Sequence, residues 1–467
     1  MTQRLAAGTV VLGDGGDSFR VAKLLGAGGQ GEVYEVALVG SGETYALKWY
    51  YPPGRGPRAQ AMAQEQRRAL KEYIIPRGAP DPRFVWPLQF VEGPPGSGVF
   101  GYVMRLWDAG FVTLEKLVCG RVSITDRALI SAALGIVEAF RKLHLSGAVY
   151  KDINLGGFAL SPATGAVLVV DNDNVRTNGT PGAILFPGFG APEVVTGKAP
   201  CTSQTDDHSL AVLLFYMFVR GNPMEGNREL VQCYDASAAR ALFGEHALFV
   251  FDPKDDSNRP VAGVHEAVLK NWPTLPGDLR AAFGRAFGEG LHDPGRRLTD
   301  GEWVTALSGY RDSLYACGHC RRETVYERAA LKDAGAGNPA GAGVTRANTA
   351  ATGLTCVWCH KALSPPARMK LGPLVVMLSP DLKLYPHHLG ETADFSSPVA
   401  EMSAHPSRPG AWGLKNLSPR AWTYEVERSP GPAASSTETL SAHPGQSVPI
   451  KDGLRIRFGR VEGVVRL

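Results

Sequence analysis

The sequence predicts an α+β protein: a β-rich lobe, a helical lobe, then a cysteine-bearing module and a small β-sandwich-like domain. Three observations carry this. Residues 20–115 read mostly as strands broken by Gly-rich turns, as in "FRVAKLLGAGGQGEVYEVALVGSGETYALKWYY". From 124 to about 315 the apolar spacing is helical, beginning with "ITDRALISAALGIVEAFRKLHLSG". Beyond that, two Cys-x-x-Cys pairs precede a strand-like tail, 371–467, rich in Pro and Gly.

Within the first lobe, "GSG" at 40–42 marks a hairpin, and "QAMAQEQRRALKEYII" is a helix expected to stop at Pro76. At 467 residues the chain exceeds one ordinary core. Its 49 basic and 45 acidic residues show no long basic block, so charge gives no support for a nucleic-acid surface. The first residues lack the apolar core of an export signal, so a cytoplasmic protein is expected. The apolar run "LAVLLFYMFV" (210–219) is too short to span a membrane and suits a buried helix. Cys119, Cys201 and Cys233 are then expected to be free thiols.

"GAGGQGEV" places Gly26, Gly28 and Gly31 in G-x-G-x-x-G spacing. A dinucleotide fingerprint requires a helix directly after the glycines. "EVYEVALV" is instead alternating and β-branched, hence a strand. A Gly-rich hairpin over ATP phosphates needs strand, glycines, strand, then a lysine on the next strand. "TYALKWY" supplies Lys48, flanked by Ala46, Leu47 and Trp49, where an unpaired charge is costly. A carboxylate from the following helix is the expected partner, with Glu65 preferred over Glu72 because Glu72 lies in the last turn before Pro76.

Further on, "VYKDINLGGF" (149–158), "VLVVDNDNV" (167–175), "GFGAPEVV" (188–195), "QTDDHSLAVLLFYMFVRGNPMEG" (204–226) and "LHDPGRRLT" (291–299) follow in order. With the glycine hairpin and "YALK", these make residues 20 to about 310 resemble the protein kinases. Within that superfamily the chain looks most like bacterial Ser/Thr kinases with a Cys-pair and β-rich tail, a group found beside von Willebrand A-type proteins and metal-dependent phosphatases. "FDPKDDSNRP", "LYPHHL" and "WGLKNLS" carry that narrower likeness.

The resemblance implies ATP and Mg²⁺, and a protein substrate that could include those two neighbours. It puts the nucleotide against Gly26, Ala27, Gly28, Gly29, Gln30, Gly31, Val33, Ala46, Lys48 and Met104. Asp152 would orient the substrate hydroxyl and accept its proton, and Asp171 would hold Mg²⁺. Asp206 would hold the catalytic loop's backbone, and Glu193 with Arg297 would lock the activation segment. A regulatory phosphate at Thr177 or Thr180, flanking Asn178, would look to Lys151.

Four departures stand out. Tyr150-Lys151 replaces His-Arg, Asn154 replaces a lysine, Gly157 replaces the metal-binding asparagine, and Asn172-Asp173 replaces Phe-Gly. Asp173 and Asn174 are expected to restore the missing oxygen ligands, Asp173 as a second magnesium ligand, with Asn154 also able to turn toward the metal. The expected function is an ATP-dependent protein Ser/Thr kinase in bacterial signalling. A nucleotide-binding pseudokinase serving as a scaffold is the alternative, and a small-molecule phosphotransferase shares the same lobe plan.

"CGHC" (317–320) and "CVWC" (356–359) form two Cys-x-x-Cys knuckles. Four thiolates from such turns suit tetrahedral Zn²⁺ with no open position, hence a structural ion on Cys317, Cys320, Cys356 and Cys359. His319 and His360 adjoin the ligands, and free thiols or a redox pair are the alternatives. The expected layout is an N-terminal extension (1–19), a kinase-like domain (20–315), a zinc-ribbon-like module (316–364) and a β-rich domain (371–467) with at least six strands. "PGQSVPIKDGLRIRFG" resembles a forkhead-associated sandwich, without the ligand residues of that family. His387 and His388 are expected on a strand, facing opposite ways, as structural residues.

Overall fold

A computed structural model describes residues 4–180, 188–231, 235–326, 354–391, 397–427 and 437–467. Cys233 and the Ala/Gly-rich stretch from 333 to 353 lie outside them. The chain divides into two compact units: residues 1–272 with 281–304, and 273–280 with 305–467.

The first unit opens with strands β1 (Val10–Leu12), β2 (Ser18–Ala27), β3 (Gly31–Leu38), β4 (Thr44–Tyr50), β5 (Pro87–Glu92) and β6 (Phe100–Arg105), in sheet order β1-β2-β3-β4-β6-β5. Gly13 bridges Val91, and the Asp14 amide donates to the Phe90 carbonyl at 2.9 Å, so the two edges meet. Strand alternation sorts β4 into two faces. Leu47 and Trp49 join Phe19, Tyr34, Val36, Val91 and Val103 in one core cluster. Ala46, Lys48 and Tyr50 therefore point the other way.

The glycine hairpin joins β2 and β3. Gly28 N donates to Gly31 O at 2.9 Å, and Tyr51 N donates to Gln30 O at 2.9 Å. A Cβ at Gly26, Gly28 or Gly29 would meet nothing within 4 Å, whereas one at Gly31 would lie 2.3 Å from the Trp49 carbonyl. Three glycines thus leave open space, and the fourth permits close strand packing.

Helix α1 (Pro57–Ala69) continues through a π turn, Leu70–Ile74, into Ile75–Arg77. The chain does not stop at Pro76 as expected. Ile75 N bonds back to Leu70 O, and this wider turn accommodates the proline, which has no N–H. Gly78, at φ 73°, ends the segment.

The helical part is built on two long helices. Asp126–Leu145 starts at a Thr125 cap, whose hydroxyl accepts from Ala128 N at 3.2 Å. Ser203–Val219 carries the apolar run and is buried over Leu210–Phe215 and Met217–Val219. Phe215 meets Phe249, Trp272, Phe283 and Phe287 edge-on or tilted, which seats this helix in an aromatic core. Among the described residues no helix is long and apolar enough to cross a membrane.

The second unit holds the cysteine turns and a β-sandwich. Strands Leu374–Met377, Arg368–Leu371, Val461–Arg466, Arg455–Phe458, Trp422–Glu427 and Thr437–Ala442 form one sheet, in that spatial order. Lys383–Leu384, Ala400–Ala404, Trp412–Asn416 and Ser447–Pro449 form the other. Met369, Leu384, Leu414, Trp422, Ile456 and Val465 fill the core. The strand expected at "YPHH" is instead a 3₁₀ turn, Pro386–Leu389, with the two histidine rings 3.9 Å apart rather than on opposite faces. His388 Nδ1 accepts from Tyr385 N at 2.9 Å, so its Nε2–H donates to Asp312 at 2.8 Å. Both ring nitrogens of His388 are thus engaged, one by a backbone N–H and one by a carboxylate.

Replacing Gly31 with alanine is expected to destabilise the protein by about 1–3 kcal/mol, because the clash is with backbone rather than a mobile side chain. Thermal melting of Gly31→Ala against Gly29→Ala, where space is open, checks this.

Candidate active site

The catalytic loop begins in strain. Lys151 has φ 71°, a left-handed conformation that costs a non-glycine residue about 1–3 kcal/mol unless its surroundings impose it. Asp206 imposes it, accepting from Tyr150 N at 2.5 Å and Lys151 N at 3.1 Å. His144 braces this clamp, with Nε2 3.3 Å from Asp206 and Nδ1 2.8 Å from Asp300. Burial alone would lower the His144 pKa, but the hydrogen bonds to Asp206 and Asp300 outweigh it and push it up to about 10.

Tyr150 stands in the loop's interior, its hydroxyl donating to the Val170 carbonyl. A Cβ at Gly157 would lie 3.1 Å from that hydroxyl, so the tyrosine crowds the position where the family's asparagine would branch. Asn174 supplies the lost brace instead: its amide donates to Asp152 Oδ2 at 3.3 Å. Asn154 is engaged within its own loop. Its amide nitrogen bonds the Asp152 carbonyl at 3.0 Å and its oxygen accepts from Gly156 N at 2.9 Å, the pattern of a loop cap.

Asp152 is largely enclosed, and its pKa is raised to about 6, by burial first and then by the Asp171 carboxylate. Asp171 adopts φ 63°, ψ 44°, which aspartate tolerates better than most residues. Its side chain is 42% exposed, while that of Asp173 is 0% exposed. Lys48 contacts both: a hydrogen bond to Asp171 Oδ1, and Asp173 Oδ2 at 2.7 Å. Burial disfavours the Lys48 charge, but Asp173 above all overcomes it and keeps the ammonium protonated. Tyr50, which donates its hydroxyl to Asp173, and the buried Tyr102 ring lie beside the ammonium, and Tyr150 is buried in the adjoining loop. Burial and then the carboxylates raise the pKa of all three phenols.

Helix α1 does not supply the expected glutamate. Glu65 pairs with Arg68 at 2.6 Å on the exposed side, and Glu72 is exposed as well. Gln66 faces the site, donating to the Asp173 carbonyl at 2.8 Å and accepting from Arg176 at 2.7 Å. The signal was one residue away: Gln66, Leu70 and Ile74 share one face at four-residue spacing, and Leu70 and Ile74 are buried. Tyr50 and Arg176 were not singled out, since nothing local marks them, and Asn174 was expected as an oxygen ligand where the structure has its amide donating to Asp152.

Val33 pairs with Lys48, and Ala46 with Met104, in the strand registers beside the glycine hairpin. Gly26, Ala27, Gly28, Gly29 and Gln30 are exposed at its tip. Glu193 receives Arg297 in a two-pronged pair at 2.7 and 2.8 Å, and Arg297 also bonds the Gly290 and Gln204 carbonyls. Thr177 is exposed, and Thr180 Oγ1 donates to its carbonyl at 2.6 Å. Burial, and then Arg176, lower the pKa of Lys151, so the two cations lie in one field.

A second cluster lies in the other unit. Cys317 Sγ is 3.9 Å from Cys359 Sγ, and Cys320 Sγ is 3.7 Å from Cys356 Sγ. All four sulfurs lie within 4.8 Å of one another. The knuckles repeat each other: Arg321 (φ 63°) and His360 (φ 55°) each follow the second cysteine in a left-handed conformation. His319 points to the Ala362 carbonyl at 3.2 Å and is no part of the sulfur set.

The His144 contribution to stability should be complete below about pH 6.5 and lost as pH rises through about 10, because the folded state holds the proton more tightly than the unfolded chain. Melting temperature against pH, compared with His144→Gln, is expected to show this alkaline loss only in the unsubstituted protein.

Residues 19–258 match the protein kinase domain family. Among solved structures, the chain is similar to the PknI kinase domain of Mycobacterium tuberculosis, at 19% identity and a TM-score of 0.42, covering 66% of this chain and 99% of that one. A doubly substituted form of the same domain gives 19% identity and a TM-score of 0.45, covering 66% and 100%. A search of curated proteins finds no match. The family match extends over more than half of the chain and includes the glycine hairpin, Lys48, Asp152, Asp171 and Asp206. This chain therefore belongs to the protein kinase domain family.

Proposed function

We propose that the protein is an active ATP-dependent protein kinase acting on serine or threonine, with a rearranged metal loop. The observation that carries this reading is the survival of the Asp152 brace: Asn174 holds Asp152 Oδ2 where Gly157 cannot. Asp152, clamped through the loop by Asp206, accepts the substrate hydroxyl's proton. Lys48 and the open glycine hairpin hold the nucleotide phosphates. Asp171 fits Mg²⁺, since its carboxylate opens to solvent and the ion needs only one or two protein carboxylates among its oxygen ligands. When bound, Mg²⁺ offsets the charge that builds on the phosphate oxygens. The narrower assignment, a bacterial signalling kinase whose substrate is a von Willebrand A-type protein or a metal-dependent phosphatase, rests on the tail segments alone.

A pseudokinase that binds nucleotide as a scaffold is the second reading, favoured by one observation. Asn154 is spent on its own loop and provides no charge in place of the family's lysine. The test separates the two readings. Magnesium-dependent transfer from ATP to the protein itself or to a generic protein is expected, reduced about 10²–10⁴-fold in Asp152→Asn. The rate should also fall as pH drops through about 6, where Asp152 takes up a proton. Absence of any transfer, with ATP still bound, selects the pseudokinase.

The four cysteines are assigned to a structural zinc ion. Elemental analysis should find one zinc per chain, and chelation or Cys356→Ser should lower the melting temperature of the second unit.

A further inference from the structure

A buried ammonium needs a fixed counter-charge. In the kinase family that charge comes from a glutamate on the helix after the lysine strand, so moving the helix switches the site. Here the helix brings Gln66 inward and turns Glu65 toward Arg68. The charge beside Lys48 comes from Asp171 and Asp173.

These two carboxylates are not equivalent. Asp171 opens to the cleft, whereas Asp173 is sealed, with Oδ2 shared between Lys48 and Tyr50. A sealed pair cannot trade its partner for a cation from solvent, and a half-open one can. The loop around Asp173 is also fixed on both sides. Asn172, buried where the family has phenylalanine, donates to the Val85 and Val169 carbonyls at 2.8 and 2.9 Å. Asn174 holds Asp152, and the Asp173 carbonyl accepts from Gln66 and Arg176, each at 2.8 Å.

We propose that Asp173 is the positioning residue for Lys48, performing the helix glutamate's task from within the metal loop, and is not a magnesium ligand. Asp171 alone of the pair is then left for the metal. The charge beside Lys48 then belongs to the metal loop and not to α1, which meets that loop through the neutral Gln66 amide. This rests on the kinase reading of Lys48 and Asp171 above.

The test compares Glu65→Gln, Glu72→Gln, Asp173→Asn and the double variant Asp173→Asn/Gln66→Glu. Gln66 Nε2 lies 3.3 Å from the Tyr50 hydroxyl, so glutamate there returns a carboxylate to the site from the helix. Phosphate transfer should be within about twofold of the unsubstituted protein for the two glutamate variants and reduced about 10²-fold in Asp173→Asn. The double variant should regain at least about tenfold of that loss. A merely structural role for Asp173 would not be rescued by charge placed on another element.

A second readout does not depend on turnover: the extent of labelling of Lys48 by a small amine-reactive reagent at one fixed pH, read by mass spectrometry. In Asp173→Asn, where the ammonium loses its sealed partner, labelling of Lys48 should rise, with the other lysines unchanged as a check on folding. Undiminished transfer in Asp173→Asn, a matching loss in Glu65→Gln or Glu72→Gln, or no rescue in the double variant overturns the proposal. If the unsubstituted protein transfers no phosphate, the kinase reading fails, and unchanged labelling of Lys48 in Asp173→Asn is then the result that overturns the counter-ion role.

Discussion

The first unit is organised around one buried charge. Lys48 sits on a strand whose other face builds an apolar core, and its buried ammonium lies beside the Tyr50 and Tyr102 rings. Desolvating that group costs several kcal/mol unless carboxylates and hydrogen bonds surround it. Asp173 and Asp171 supply the charge, and Tyr50 satisfies a further lone pair. The requirement propagates outward. Asp173 must be held still, so Asn172, Gln66 and Arg176 tie its backbone down. The same tightening brings Asn174 to Asp152.

A second constraint works from the helical side. Asp206 holds two consecutive backbone N–H groups of a loop that would otherwise relax out of its left-handed turn. The His144 ring lies between Asp206 and Asp300, within hydrogen-bond reach of both. The strain at Lys151 is thus sustained by a charge chain anchored in three helices, Asp126–Leu145, Ser203–Val219 and Asp300–Ser313. Asp152 inherits its position from that chain and its raised pKa from burial beside Asp171. Substitutions in the loop read differently in this light. Gly157 is less a missing ligand than the space into which the Tyr150 hydroxyl leans.

Much of this was legible in the sequence. The glycine spacing followed by alternation identified a strand hairpin, and the apolar setting of Lys48 required a partner. The order of the later segments pointed to the Asp152 loop, to Asp171 and to the Glu193–Arg297 pair, whose side chains do meet. The two Cys-x-x-Cys turns announced a four-sulfur cluster, and the sulfurs do converge. Three tail strands escaped notice, Arg368–Leu371, Ala400–Ala404 and Thr437–Ala442, because charged and small residues blur their alternation. The 3₁₀ turn at "YPHH" was read as strand because a histidine pair carries no periodicity.

The sequence by itself determined which chemical groups are present and which local shapes the backbone takes, since periodicity, glycine and capping act over a few residues. The tertiary structure decided the pairings. Lys48 and Asp173 stand 125 residues apart, and Asn174 and Asp152 are 22 apart. A turn of helix phase, one residue from Glu65 to Gln66, moved the expected counter-ion out to solvent and left the charge to Asp173. Which of several carboxylates meets a buried ammonium depends on which is desolvated beside it, and desolvation is a property of the packed fold.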